Sequence, residues 1–185
     1  MKMKTNSITT EQAQNALDDA ELLFNTEDVE AAITLMAAAI TAELSNSNPL
    51  VLPVMNGGLV LGGKLISQLN FPLQIDYIHA SRYRGETSGS DLHWLKKPEN
   101  LAGRVVLLID DILDEGITLA AIVKYCYEAG ATKVLTAVLA EKVLEQDKPI
   151  QHADFTGLHV PNRYVFGYGM DYYEYHRNLA GIYAV

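Results

Sequence analysis

One stretch of the chain, RVVLLIDDILDEGITLAAI from Arg104 to Ile122, restricts the possible folds more than any other. Val105 to Ile109 is an unbroken aliphatic run, which reads as a strand buried on both faces, the kind a parallel sheet requires. The run then turns polar: Asp110, Asp111 and Asp114 stand at the carboxyl end of that strand, and Gly116 and Thr118 lead into an apolar-periodic helix beginning near Leu119. Strand, acidic loop and helix in that order predict an α/β protein. In open sheets of this class ligands bind beyond the carboxyl ends of the strands, and the first free amides of a following helix form an anion site.

The order of residue types narrows the chemistry. The backbone amides of Glu115, Gly116, Ile117 and Thr118, with the Thr118 hydroxyl, suit a terminal phosphate, and Gly116 has no Cβ to hold the ligand off. The adjacent carboxylates of Asp110 and Asp111 suit a sugar diol or a hydrated divalent cation, because they only accept hydrogen bonds and carry charge. Together these describe a cradle for a ribose 5-phosphate. A Walker loop would need glycines ahead of a lysine, and no such run occurs; the Rossmann glycine pattern is missing too.

At 185 residues, 49% hydrophobic and 20% charged, the chain is long enough for a sizeable core and is expected to form one domain over 1–185. A single cysteine, Cys126, excludes an internal disulfide, and no apolar run approaches a membrane span. Met1 to Thr10 lacks the apolar core of a signal peptide, so a cytoplasmic protein with no membrane partner is expected. The formal charge of −9 argues against nonspecific nucleic-acid binding, which needs a basic footprint.

Along the chain, Thr9 or Thr10 caps a helix reaching about Leu23, and Asn25 or Thr26 caps a second, with Glu27 and Asp28 in its first turn. Val29, Ile33, Met36, Ile40 and Leu44 recur at helical spacing and lay one stripe on the core, so residues 1–48 form an N-terminal helical segment. Leu50 to Met55 reads as a second buried strand, broken by Asn56, Gly57 and Gly58 before a helix from about Val60. A glycine pair there lets main-chain amides face an anion. Leu73 to Ile78 alternates partly and is expected as a strand. The polar segment Ser81 to Trp94, doubly basic through Arg82 and Arg84, is expected to be mobile, within a loop over 81–97. Helix Leu119 to Glu128 buries Ile122, Val123 and Cys126 and ends at Gly130; Lys133 to Ala140 is the next strand. The five histidines lack metal-ligand spacing.

Two acids, two apolar residues, then Asp, Glu, Gly, Ile and Thr from Asp110 to Thr118 resemble the phosphoribosyl-pyrophosphate signature of type I phosphoribosyltransferases. A second stretch, VPNRYVFGYGMDYYEYHRNL from Val160 to Leu179, together with Lys142, is similar to the purine-binding part of the hypoxanthine-guanine phosphoribosyltransferases. The resemblance covers about Val51 to Val185. It implies a central, mostly parallel sheet flanked by helices, with a small purine-binding hood over 141–185 and a flexible catalytic loop. It also implies transfer of 5-phosphoribosyl from its pyrophosphate ester to hypoxanthine or guanine, with Mg2+ as cofactor, in a homodimer or homotetramer.

Carried over residue by residue, the resemblance implies Asp114 as the catalytic base, and Asp110 with Asp111 on the ribose and the metal. Residues Glu115, Gly116, Ile117 and Thr118 fall on the 5'-phosphate, and Asn56, Gly57 and Arg177 on the pyrophosphate. Lys142, Tyr164, Val165 and Asp171 fall on the purine, with Asp171 also near the metal, and Ser81, Arg82 and Tyr83 on the flexible loop. Three positions depart from the family pattern. Asn56 stands where many relatives have lysine, while Glu115 and Ile117 replace a hydroxyl and a polar or basic residue. A nucleotide-sensing regulator on the same fold, and a transferase for xanthine or another base, are the rival readings.

Overall fold

The computed structural model describes residues 8–82, 92–144 and 147–185. Helix α1 (Thr10–Asp18) and helix α2 (Thr26–Leu44) flank strand β1 (Glu21–Phe24). Both helices start on capping boxes, Thr9 with Gln12 and Asn25 with Asp28, in which each side chain satisfies the other residue's amide. The helix expected to run to Leu23 therefore ends at Asp18. Leu22 instead pairs with Tyr183 near the far end of the chain, a tertiary pairing that overrides local helix propensity.

The main sheet is built from β2 (Leu50–Met55), β3 (Gln74–Ile75), β4 (Ile78–Arg82), β5 (Leu92–Lys96), β6 (Val105–Leu113), β7 (Lys133–Lys142) and β8 (Phe155–Val160). Its order is β5-β4-β2-β6-β7-β8, with β3 also on β2, and every pairing is parallel except that of β4 with β5. Helix α3 (Gly58–Ile66) follows β2, and α4 (Ile117–Glu128) follows β6. A second, three-stranded antiparallel sheet joins β1 to β10 (Ile182–Ala184) and β9 (Val165–Phe166), so the two ends of the chain close on each other.

The apolar runs explain the layering. Strands β2, β6 and β7 are hydrophobic on both faces because helices cover both. The predicted α2 stripe, Val29, Ile33, Met36, Ile40 and Leu44, is buried in one core with Leu61 and Leu65 of α3. Leu119, Ile122 and Cys126 of α4 pack in a second core on Leu52, Val106 and Leu108.

Several boundaries differ from the sequence expectation. Strand β6 does not stop at Ile109 but runs through Asp110 and Asp111 to Leu113, because β7 continues beside it, pairing Ile112 with Ala140 and Leu113 with Glu141. Helix α4 begins two residues early, at Ile117. The strand expected from Leu73 to Ile78 is two pieces on one line of β2: Leu50 faces Gln74 and Val54 faces Ile78, while Asp76 between them accepts a hydrogen bond from Lys96. Of the loop expected over 81–97, Ser81 and Arg82 belong to β4 and pair with His93 and Leu92 of β5. Tyr83, with the rest of 83–91, lies outside the described residues.

Candidate active site

The sheet order reverses at β2: the chain leaves it for β4 on one side and returns to β6 on the other. At such a switch point the loops leaving adjacent strands diverge and open a crevice. A cavity of about 430 Å³ lies there, lined by the ends of β2, β6 and β7, the first turn of α4 and the segment around β9. Asn56, Gly57, Asp110, Asp111, Asp114 to Thr118, Lys142, Tyr164, Val165, Asp171 and Arg177 all line it. These sequence-predicted residues thus converge. Of the three placed on the loop, Ser81 and Arg82 end β4, and Tyr83 lies outside the described residues.

One wall is the β6–α4 connection. Gly116 caps α4 with φ +74°, a left-handed conformation that costs glycine little. A glycine cap offers no side-chain acceptor, so the first-turn amides of α4 keep their capacity to bind an anion, aided by the helix dipole. Thr118 is half-buried beside them, and the side chain of Ile117 is exposed.

The floor is acidic. Asp111 is buried, and its amide donates to Asp110 Oδ1 at 3.0 Å. Burial, and then the charge of Asp111, push the Asp110 carboxyl well above the usual carboxylate range. Burial raises Asp111 as well, against the opposing charge of Arg177. Arg177 faces three acids, with nitrogens 3.8 Å from Asp111 Oδ2, 2.8 Å from Asp171 Oδ1 and 3.4 Å from Glu174 Oε2, and donates to the Gly169 carbonyl at 2.8 Å.

Two glycines make this floor possible. A Cβ on Gly57 would stand 2.1 Å from Asp111 Oδ2, and one on Gly169 would stand 2.3 Å from the Gly57 carbonyl oxygen. The Met55–Asn56 peptide that leads into Gly57 is cis.

The third feature is an ion pair that residue types alone did not reveal. Lys142 Nζ lies 2.7 Å from Asp114 Oδ2, with the lysine side chain only 12% exposed and the aspartate 45%. The register explains it: Leu113 pairs with Glu141, so the next residue of each chain segment meets its neighbour at the sheet end. Beyond Lys142, the ring of Tyr164 stacks on Tyr173 with centroids 6.2 Å apart. Met170, given no role from sequence, also lines the cavity beside Val165; an aliphatic side chain between two aromatic stretches carries no signal of that position.

Among the described residues no group of three or more His, Cys, Asp or Glu side chains is placed to hold a metal ion. His152 and His176 are engaged with Glu141 and with the Ala13 carbonyl.

Comparison with known proteins bears on the same residues. Positions 19–173 match the phosphoribosyl transferase domain. The chain belongs to that family. It is 33% identical to a hypoxanthine-guanine-xanthine phosphoribosyltransferase of Tritrichomonas foetus, over 88% of this chain and 90% of the relative. It is 31% identical to a hypoxanthine-guanine phosphoribosyltransferase of Bacillus subtilis, over 88% and 91%. Among solved structures it superposes on a hypoxanthine phosphoribosyltransferase of Staphylococcus aureus with a TM-score of 0.84 and 25% identity, covering 92% of this chain and 94% of the other. As a family member the protein carries the expected fold, a mostly parallel sheet between helices. No helix among its described residues is long and apolar enough to cross a membrane.

Proposed function

We propose that the protein transfers the 5-phosphoribosyl group of phosphoribosyl pyrophosphate to hypoxanthine or guanine, giving the purine 5'-nucleotide and pyrophosphate, as a purine-salvage enzyme. The observation that carries this reading is that the Asp114–Lys142 pair, a helix-terminal anion loop and Arg177 all line one cavity. A 5'-phosphate, a leaving pyrophosphate and a purine base each have complementary groups among the lining residues. The names of the relatives point the same way.

In this reading the amides of Glu115 to Thr118 and the Thr118 hydroxyl hold the 5'-phosphate, and Asp110 and Asp111 orient the ribose hydroxyls. Arg177 and the Asn56–Gly57 backbone take the pyrophosphate, the guanidinium binding its oxygens in a fork. The C1'–O bond to pyrophosphate breaks as the bond from C1' to a purine ring nitrogen forms. Lys142 donates to the six-oxygen of the base, which turns its ammonium away from Asp114. The released carboxylate then accepts or shares the imidazole proton. A carboxylate is a weak base, so most of the rate comes from positioning and electrostatics. Tyr164 offers its ring face to the base, and Val165 offers backbone groups that read the purine edge. Ser81, Arg82 and Tyr83 keep the water-excluding role that the resemblance implies, Ser81 and Arg82 from the end of β4.

Magnesium fits this donor set. Asp110 and Asp111 both resist ionising because of burial, and a dication offsets that cost. Mg2+ binds through one or two carboxylates together with substrate phosphates rather than in an all-protein cage. When bound it supplies charge neutralisation for the leaving pyrophosphate. Asp171, held by Arg177, is the third acid on that side of the cavity. The chain works as one domain with residues 141–185 as the purine hood, in the cytoplasm, as a homodimer or homotetramer.

The test is pyrophosphate release from magnesium phosphoribosyl pyrophosphate, with hypoxanthine, guanine, xanthine, adenine and uracil offered separately. Turnover with hypoxanthine or guanine and none with adenine or uracil is expected, because a site built for an acceptor leaves a donor unpaired. Turnover with no base, alongside tight binding of a purine nucleotide, would instead mark a regulator on the same fold.

A further inference from the structure

The cavity accounts for Lys142 but not for its neighbour Glu141, which is 3% exposed and points its charge into the protein. A buried carboxylate needs partners, and this one has three, two from the segment that leads into β8 and one from the start of β8 itself. His152 Nδ1 lies 2.6 Å from Oε1, the Thr156 hydroxyl donates to Oε2 at 2.8 Å, and the Ala153 amide approaches Oε2 at 3.4 Å. Burial pushes the Glu141 carboxyl up, but these hydrogen bonds outweigh it and hold the group ionised below its ordinary value.

The same segment is tied twice more to β7. The buried Lys148 donates from Nζ to the Lys142 carbonyl at 2.7 Å, and Thr136 donates to Asp154 through its amide and hydroxyl at 2.8 and 2.9 Å. Between these tethers, Ile150 runs its backbone beside the phosphate loop: its carbonyl oxygen and amide nitrogen lie 3.3 and 3.5 Å from where a Cβ of Gly116 would stand.

We infer that Glu141 is a positioning residue, which anchors the strap of residues 147–156 so that Ile150 backs Gly116 and fixes the loop that receives the 5'-phosphate. The inference rests on the proposed transferase reading, since it assigns the strap to that reading's phosphate site. Glu141 touches no substrate; it acts through the strap. Losing an anchor leaves the amides of Glu115 to Thr118 less well placed for the phosphate, while the base end keeps Lys142 and Tyr164.

Three variants test this: Glu141→Gln, Thr156→Val, and Thr156→Ser, which keeps the donor hydroxyl. Each is assayed for kcat and for KM towards phosphoribosyl pyrophosphate and towards hypoxanthine. Calorimetric titration with ribose 5-phosphate is run in parallel, at a temperature where each variant is folded. The expected result is a rise of about tenfold in KM for phosphoribosyl pyrophosphate and a matching loss of ribose 5-phosphate affinity in the first two variants, well within what a displacement of an ångström costs. The KM for hypoxanthine should stay near the wild-type value, and Thr156→Ser should restore phosphate affinity. Equal losses at both substrates, or unchanged phosphate affinity in folded Thr156→Val, would overturn the assignment. If variants with an altered fold spoil the first comparison, the exposed His152→Ala removes one anchor without opening the core, and unchanged affinity there has the same meaning. A wild-type protein that neither turns over nor binds ribose 5-phosphate would instead refute the transferase reading itself.

Discussion

Gly57 stands where the Asp111 carboxylate and the Gly169 backbone meet, and adding one carbon there is expected to do more damage than removing many elsewhere. The Cβ of Gly57→Ala would sit 2.1 Å from a buried Asp111 oxygen, so Asp111 has to leave the cavity floor. Binding of phosphoribosyl pyrophosphate, measured as KM, should weaken by about 100-fold, the scale of an ångström's misplacement at a reacting centre; an unchanged KM would mean that Asp111 does not hold the substrate. Asp114→Asn is expected to lower kcat by about tenfold or more, within the range of general-base contributions. Near-normal kcat in steady-state assays would remove Asp114 from that role. The residues from Asp110 to Thr118 were legible in the sequence because they are contiguous and their chemistry follows a buried strand. The Asp114–Lys142 pair was not, because it depends on a register between strands 28 residues apart. The contact of Gly169 with Gly57 is hidden for the same reason, since no local pattern records which backbones touch.

At the scale of elements, α2 is more than core packing. Glu30 on its surface accepts hydrogen bonds at one oxygen from Lys64 Nζ at 2.7 Å and from the Tyr168 hydroxyl at 2.5 Å, bracing the turn that carries Gly169. These bonds, that from Lys64 foremost, hold the Glu30 carboxyl below its usual value of 4.5. The folded chain therefore takes up this proton less readily than the unfolded chain, and the stabilisation is complete above the ordinary value and lost as pH falls through the lower folded one. Thermal unfolding of wild type and Glu30→Gln should thus differ at neutral pH, with the difference beginning to shrink near the ordinary glutamate value of about 4.3 and vanishing only below the lowered folded one; a constant difference across that range would contradict the brace. Helix α2 and strands β2 and β7 were readable because each carries its own hydrophobic period or unbroken run. Strand β1 was not, because Glu21–Phe24 is extended only through its pairing with β10, which comes from the opposite end of the chain. The carboxyl end of β6 was misplaced for a related reason. Acidic residues read as loop, yet the β7 backbone beside them supplies hydrogen-bond partners up to Leu113.

For the whole molecule, the difficulty is that a chain of formal charge −9 is assigned a highly anionic substrate. The fold meets it by placement rather than by net charge. Arg177, Lys142 and the first-turn amides of α4 stand in the same cavity as its acids, and in the proposed reaction a magnesium ion would offset the charge of carboxylates and pyrophosphate together. The most direct measurement is a crystal structure of the protein with inosine 5'-monophosphate, magnesium and pyrophosphate. The expected result has the 5'-phosphate on the amides of Glu115 to Thr118 and the six-oxygen of the base within hydrogen-bond reach of Lys142 Nζ. The Asp114–Lys142 pair should be opened, and pyrophosphate should lie against Arg177 and Gly57. A nucleotide bound with its base away from Lys142, or with its phosphate off the α4 terminus, would contradict the assignment of this cavity.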